Sequence, residues 1–376
     1  MDFGVPLEKH RNETRVGLAP RGVRLLTDLG HRVFVETGAG EASRFSDAEY
    51  RDAGAELVFR HEEVFRRAEV LIAVTAPSAE EIALTTEGQM LMAFWHMAVA
   101  QKTIIADMAR RKLSAIGFEL IQEVGQHRPV LHAMSELAGQ MTIHTAAHLL
   151  QSENGGRGIL LGSSPGIPPA TIVILGAGIV GRAAARAAVG TGARVIMLDK
   201  DMDKLHVVTH EFHGRVTTDT ADRDTIARMV QIADVVVGAV LVPGGHAPYL
   251  VTKSMVASMK PGSVILDVSI DQGGCIETSR PTTIEDPTFV VHDVVHYCVG
   301  NMTASIPRTA TKALTYAHVR YLELMARHGV DGALRESAAL RRGTMMFRGV
   351  MTHEATASVF GLEFKPVEAM LGGEVR

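Results

Sequence analysis

"TIVILGAGIVGRAAARAAVGTGARVIMLDKD", residues 171–201, decides how the rest of the chain is read. A β-branched run ends in a glycine-rich turn, a small-residue helical pattern follows, and a second apolar run closes on an acid. Gly176, Gly178 and Gly181 make the spacing G-x-G-x-x-G. The first glycine of such a turn permits the sharp bend, the second lets a pyrophosphate approach the backbone, and the third lets helix and strand pack closely. The phosphates then face a helix N-terminus, where N–H groups and the dipole favour negative charge. Gly176, Ala177, Gly178, Val180 and Gly181 are therefore the candidate residues beside the phosphates. Asp199 ends the second run, where a carboxylate can take both ribose hydroxyls and repel a 2′-phosphate, so NAD is expected as the cofactor.

Working outward, short apolar runs alternate with helical patterns almost throughout, the mark of parallel α/β architecture. Before the turn the expected strands are "DFGVP", "HRVFVET", "AELVF", "EVLIAV", "QMLMAFW" and "LSAIGFEL"; after it come "ARVIMLDKD", "DVVVGAV", "SVILDVSID" and "TFVVHD". Residues 20–30, with Pro20 at the start and Gly30 at the end, predict a helix. Long helices are expected from Ser135 to about Glu153 and from about Ala304 to Gly329, with a Gly/Pro-rich junction, "NGGRGILLGSSPGIPPA", after the first. Two α/β blocks joined by long helices suggest that the tail packs back on the first block.

The 376 residues suffice for two domains, and 46% hydrophobic with 21% charged residues describes an ordinary globular chain. A net charge of -4 without Lys/Arg blocks argues against nucleic acid or an anionic membrane as a partner. No apolar run approaches the ~20 residues of a bilayer span, and "MDFGVPLEKHRNETR" lacks the order of a secretory signal. Cys275 and Cys298 stand far apart, so free buried thiols and a cytoplasmic location are expected. Among the 17 histidines, His144 and His148, and His206, His210 and His213, have one-face helical spacing, but no HExxH glutamate or nearby cysteine accompanies them; no metal is assigned.

Three residues stand where chemistry is expected. In "SVILDVSIDQGGC", Asp267 and Asp271 stand at the end of a buried-type strand, where the ligand crevice of an open α/β sheet lies, although an aspartate before glycine also caps turns. In "GQMLMAFWHMAVAQ", His96 is the one non-apolar residue between Met90 and Ala100. It is either a satisfied core histidine or a proton carrier, and composition leaves that open.

These segments, together with "NETRVGLAP", "GHRVFVETGAGE", "MSELAGQM", "GGRGILLG", "GAVLVPGGHAPYLV", "DVSIDQGGCIETSRPTT" and "HYCVGNMTASIPRTAT", resemble the alanine dehydrogenase family over nearly the whole chain. That family includes the NAD-binding part of proton-translocating transhydrogenase. The resemblance implies an α/β fold of two Rossmann-like domains with parallel sheets, joined by long helices. A discontinuous substrate domain (1–135 and 304–376) would flank an NAD domain (136–303), in a cytoplasmic homo-oligomer, hexamer or dimer. It implies an NAD-dependent oxidoreductase acting on a CH–NH2 or C=N group of a small substrate bearing a carboxylate and an amine or imine. Arg15 then matches the residue gripping the carboxylate, His96 the acid/base, and Asp271 the carboxylate ordering water and substrate. Ser135, Lys204, Val240, Leu241, Asn301 and Met302 fall where the family touches the cofactor.

One stretch departs. "EVLIAVTAP" aligns with a family segment ending Lys-Val-Lys-Glu-Pro, whose second lysine contacts the substrate, and Thr75 stands in its place. Leu7 likewise replaces a usual lysine before Glu8. Losing a charge-assisted bond to a buried carboxylate costs roughly 1.5–3 kcal/mol, or about one to two orders of magnitude in transition-state binding. The vacated space admits a larger or differently charged substrate, so an amino acid or imine other than alanine is expected. The alternatives are alanine itself, with Lys9 or Arg11 supplying the charge, a non-redox C–N lyase, or a module that holds NAD without turnover.

Overall fold

The computed structural model describes residues 1–96, 102–240 and 248–372 and divides the chain into two compact units, Met1–Met134 with Ala304–Arg376, and Ser135–Thr303. Six strands open the chain: β1 (Asp2–Val5), β2 (Arg32–Glu36), β3 (Glu56–Val58), β4 (Val70–Thr75), β5 (Met90–Phe94) and β6 (Ser114–Gly117). Seven follow in the second unit: β7 (Thr171–Leu175), β8 (Arg194–Asp199), β9 (Val216–Thr220), β10 (Val235–Gly238), β11 (Val264–Asp267), β12 (Thr288–Val291) and β13 (Val294–Tyr297). After a long helix come β14 (Thr344–Phe347) and β15 (Val350–Met351), and a short helix, Glu354–Phe360, follows them.

The first unit holds an eight-stranded sheet in the order β15-β14-β6-β5-β4-β1-β2-β3. From β3 to β6 all pairs are parallel, whereas β14 and β15 add on antiparallel. Every residue of β5 is buried, as expected of an inner strand covered on both faces. The antiparallel edge modifies the expectation of a purely parallel sheet. It also gives the tail its place: Met346 pairs with Ala115 of β6.

A second tie fixes the tail to the same unit. The helix Pro307–Glu336 presents Thr311, Thr315 and His318, three and four residues apart and hence on one face. The Thr311 and Thr315 hydroxyls accept the Val16 and Ala19 amides at 3.1 and 2.9 Å, and His318 Nε2 meets the Gly17 carbonyl at 2.9 Å. Burial pushes the His318 imidazole down to about 4, so it is neutral and donates to that carbonyl. The helix starts at Pro307 and runs past the expected end to Glu336, with non-helical backbone at Gly329.

The second unit is a seven-stranded sheet, β12-β13-β11-β10-β7-β8-β9, parallel except for the β12–β13 hairpin. The sequence predicts "TFVVHD" as one strand. The chain instead reverses at His292 and Asp293, both with positive φ (52° and 60°), the backbone of a two-residue hairpin turn. The helix Pro129–Leu149 begins six residues before the expected Ser135, because Pro129 presets the helical φ in the first turn. Within the second unit it lies against the helix Ile179–Gly190: a Cβ on Gly139 would stand 2.3 Å from the Val180 carbonyl oxygen. Among the described residues no helix is long and apolar enough to cross a membrane.

Candidate functional site

In the first sheet the order turns back between β1 and β4, and in the second between β7 and β10. At such a switch point the connections depart to opposite faces and leave a crevice beyond the strand C-termini. In the first unit the described residues after β1, β4, β5 and β6 make one candidate site, and in the second those after β7, β8, β10 and β11 make another.

In the first unit Arg15 is buried (6% exposed) and locked two-pronged onto Glu13, with Nε–Oε1 at 2.8 Å and Nη2–Oε2 at 2.7 Å. Glu13 Oε1 also accepts the Arg15 amide at 3.0 Å, and Nη1 lies 3.5 Å from Met134 Sδ. A guanidinium held this way keeps its orientation, which suits it to a planar carboxylate. Glu13 was not read as a site residue; the adjacency "NETR" was the only signal.

Thr75 closes β4, and its hydroxyl donates to Glu8 Oε2 at 2.6 Å. The Thr75 and Val74 amides donate to the same carboxylate. Glu8 is half-buried, and among the described residues no cation is paired with it. Burial pushes its carboxyl up to about 7, against the pull of the Thr75 and Val74 hydrogen bonds, and Glu13's charge pushes the same way. Lys9 and Arg11 are both exposed. The neighbouring Leu7 amide donates to Glu36 Oε2 (2.8 Å), and that oxygen also meets His61 Nδ1 at 2.7 Å. His61 Nε2 reaches Glu81 Oε1 at 3.0 Å, so a buried imidazole between two carboxylates anchors the loop bearing Glu8.

His96 resolves one alternative. It is exposed, with φ 44°, immediately after the buried β5 and Trp95. The core-histidine reading is therefore set aside. Glu119, after β6, holds the corner by accepting the His96 amide at 2.8 Å and the Trp95 amide at 3.1 Å. A non-glycine residue held left-handed is a cost sustained by its surroundings, and such positions concentrate at functional sites. Glu119 was invisible in the sequence because its partners are two backbone amides 23 and 24 residues away.

In the second unit the glycine turn fits a dinucleotide. A Cβ on Gly181 would stand 1.9 Å from the Gly176 carbonyl oxygen, whereas one on Gly178 would meet nothing within 4 Å, so backbone is open there. Gly178 caps the helix Ile179–Gly190 without a side-chain acceptor, which leaves its first amides to an anion. Asp199 ties the turn to the end of β8: its carboxylate accepts the Ala177 amide (2.7 Å) and the Asp201 amide (2.9 Å). Each oxygen has a further lone pair for a ribose hydroxyl.

Val240 follows β10, its amide donating to Ser269 Oγ at 2.9 Å. Val180 lies in the first turn of the glycine-capped helix and Ser135 in Pro129–Leu149, both half-buried. Asn301 has φ 53°, and Met302 is buried, its sulfur 3.6 Å from Thr142 Oγ1. Lys204 lies 3.9 Å from Asp201, exposed. Leu241 lies outside the described residues. Asp271 is exposed in the turn Val268–Gln272, and Gly300 backs onto it: a Cβ there would stand 2.6 Å from Asp271 Oδ1. Asp267 is instead buried, accepting the Cys275 and Ile276 amides at 3.0 and 3.3 Å, which makes it structural. Cys275 and Cys298 are both buried and free. Among the described residues no group of three His, Cys, Asp or Glu is disposed to hold a metal.

Residues 4–138 match the alanine dehydrogenase/PNT N-terminal domain, and residues 142–354 its C-terminal domain. The chain is 43% identical to the alanine dehydrogenase of Mycobacterium tuberculosis over 371 residues, which covers 99% of this chain and 100% of that one. A solved L-alanine dehydrogenase superposes with a TM-score of 0.92 at 40% identity, covering 96% of this chain and 99% of that one. The transhydrogenase from Sinorhizobium meliloti superposes with a TM-score of 0.81 at 27% identity, covering 94% and 100%.

Proposed function

The chain belongs to the alanine dehydrogenase/PNT family, and from that premise we propose that it is an NAD-dependent oxidoreductase of CH–NH2 groups whose substrate is an amino acid, or the matching imine, other than alanine. When bound, NAD supplies the hydride acceptor. Arg15, held on Glu13, takes the substrate carboxylate. His96 accepts a proton from the substrate ammonium and passes it to solvent, which frees it to accept a second from the water that adds to the C=N bond left once the substrate has given up its hydride. Asp271 orients that water and the substrate nitrogen. Asp199 holds the glycine turn open to the pyrophosphate and selects against a 2′-phosphate.

The observation that carries the choice of substrate is Thr75. Where the resemblance puts a substrate-touching lysine, this chain has a hydroxyl already donating to Glu8. Near-full-length identity of 43% to an alanine dehydrogenase supports a second reading, in which alanine remains the substrate. Steady-state NAD reduction with alanine and a panel of longer amino acids separates the two. A longer amino acid with the higher kcat/KM supports the proposal, and alanine as the best substrate refutes it. Cytoplasmic residence and a homo-oligomer belong to the same proposal and are tested by cell fractionation and light scattering.

A further inference from the structure

Glu8 is a half-buried carboxylate with three donors and, among the described residues, no cation. It sits at the C-terminal edge of the first sheet beside Thr75, close enough to Glu13 to feel its charge. Arg15 is engaged two-pronged by Glu13. The formal charges of Glu8, Glu13 and Arg15 together sum to one negative whenever Glu8 is ionised. A carboxylate in that position is stabilised by an arriving cation, and it rejects an apolar group that would desolvate it without a partner. We propose that Glu8, with Thr75 positioning it, is the specificity residue for a cationic side chain, so that the substrate is an amino acid carrying a second amine or a guanidine.

Burial already pushes the Glu8 carboxyl up to about 7, which is the cost that a ligand's ammonium relieves. The Glu36–His61–Glu81 array holds the preceding Leu7 amide, so the loop offers Glu8 in a fixed place rather than letting it swing to solvent. Glu8 has a lone-pair site beyond the three already used, enough for one ammonium or guanidinium N–H.

The inference rests on the non-alanine reading above, and the experiment separates their failures. Ornithine, lysine and arginine are compared by kcat/KM with their neutral counterparts norvaline and norleucine and with alanine, using NAD reduction by the intact protein. The basic members are expected to exceed the neutral ones at least tenfold, and that ratio should collapse at least tenfold in Glu8→Gln. Thr75→Lys provides a second variant should Glu8→Gln fail to fold: a tethered ammonium against Glu8 should abolish the preference in the same way. Alanine as the best substrate would overturn both readings. Neutral long amino acids equal to the basic ones would overturn this inference alone. Equal losses on all substrates in Glu8→Gln would show that Glu8 takes the reacting ammonium instead. If no amino acid is turned over, calorimetric titration of the NADH-loaded protein with lysine and norleucine decides, and equal affinity overturns the proposal.

Discussion

The buried imidazole between Glu36 and Glu81 makes a prediction whose size follows from its surroundings. His61 is 7% exposed, and its two ring nitrogens stand 2.7 and 3.0 Å from carboxylate oxygens. Burial alone would lower its pKa; the hydrogen bonds to Glu36 and Glu81 outweigh that and raise it to about 9, with Lys9 working slightly against them. Replacing His61 by Gln removes the charge while leaving a polar side chain. Glu81 keeps its capping partner Ser78, but Glu36 is left, among the described residues, with the Leu7 amide. Breaking a buried pair costs about 3–5 kcal/mol, and because Glu81 has other partners the lower figure applies. At roughly 2–4 °C per kcal/mol for a unit of this size, the melting temperature should fall by about 6–12 °C near neutral pH.

The pH dependence carries the sign. A histidine raised on folding contributes stability that is complete below its unfolded pKa, about 6.5, and is lost as pH climbs through about 9. About 2 kcal/mol of the difference between parent and His61→Gln should therefore vanish over that window, allowing for solvent screening. Urea unfolding followed by circular dichroism at about pH 6 and about pH 9.5 measures it. A gap between the two proteins that is constant, or that widens with pH, would refute the charged-imidazole account.

Two further perturbations address the site. Thr75→Lys should raise kcat/KM for alanine about 10- to 100-fold, the value of one charge-assisted bond, in a spectrophotometric NADH assay; no gain would mean that the missing lysine does not limit alanine turnover. Gly300→Ala brings a Cβ to 2.6 Å from Asp271 Oδ1 and must displace that flexible side chain. Since a shift of about 1 Å at a reacting group can cost about 100-fold, kcat should drop by one to two orders of magnitude with the melting temperature preserved; an unchanged kcat would remove Asp271 from the reaction.

What could be read from the sequence was what local chemistry demands. The glycine turn and Asp199 were legible because each residue there answers to a steric or charge requirement within one βαβ unit. Thr75 was legible as a departure, but its partner was not, since Glu8 lies 67 residues away in sequence and only the sheet brings β1 and β4 side by side. His96 was ambiguous because the apolar run around it reads as one buried strand, while the backbone turns left-handed at His96 and takes it to the surface. The β12–β13 hairpin escaped because His292 and Asp293 make a positive-φ turn without glycine. β9 and the β14–β15 edge escaped because "VTTDT" is polar and half exposed, and "TMMFRGVM" lies beyond a long helix.

The central claim, that an imidazole on the β5 corner moves the proton in an NAD-dependent oxidation of an amine, is tested most directly by His96→Gln. NADH formation with the best amino acid of the panel is compared in parent and variant, alongside NADH affinity by fluorescence titration. The account predicts a loss in kcat of about 100- to 10,000-fold with cofactor affinity unaltered. A variant that oxidises the amino acid at the parental rate, or a parent that binds NADH yet reduces NAD with no amine at all, would contradict it.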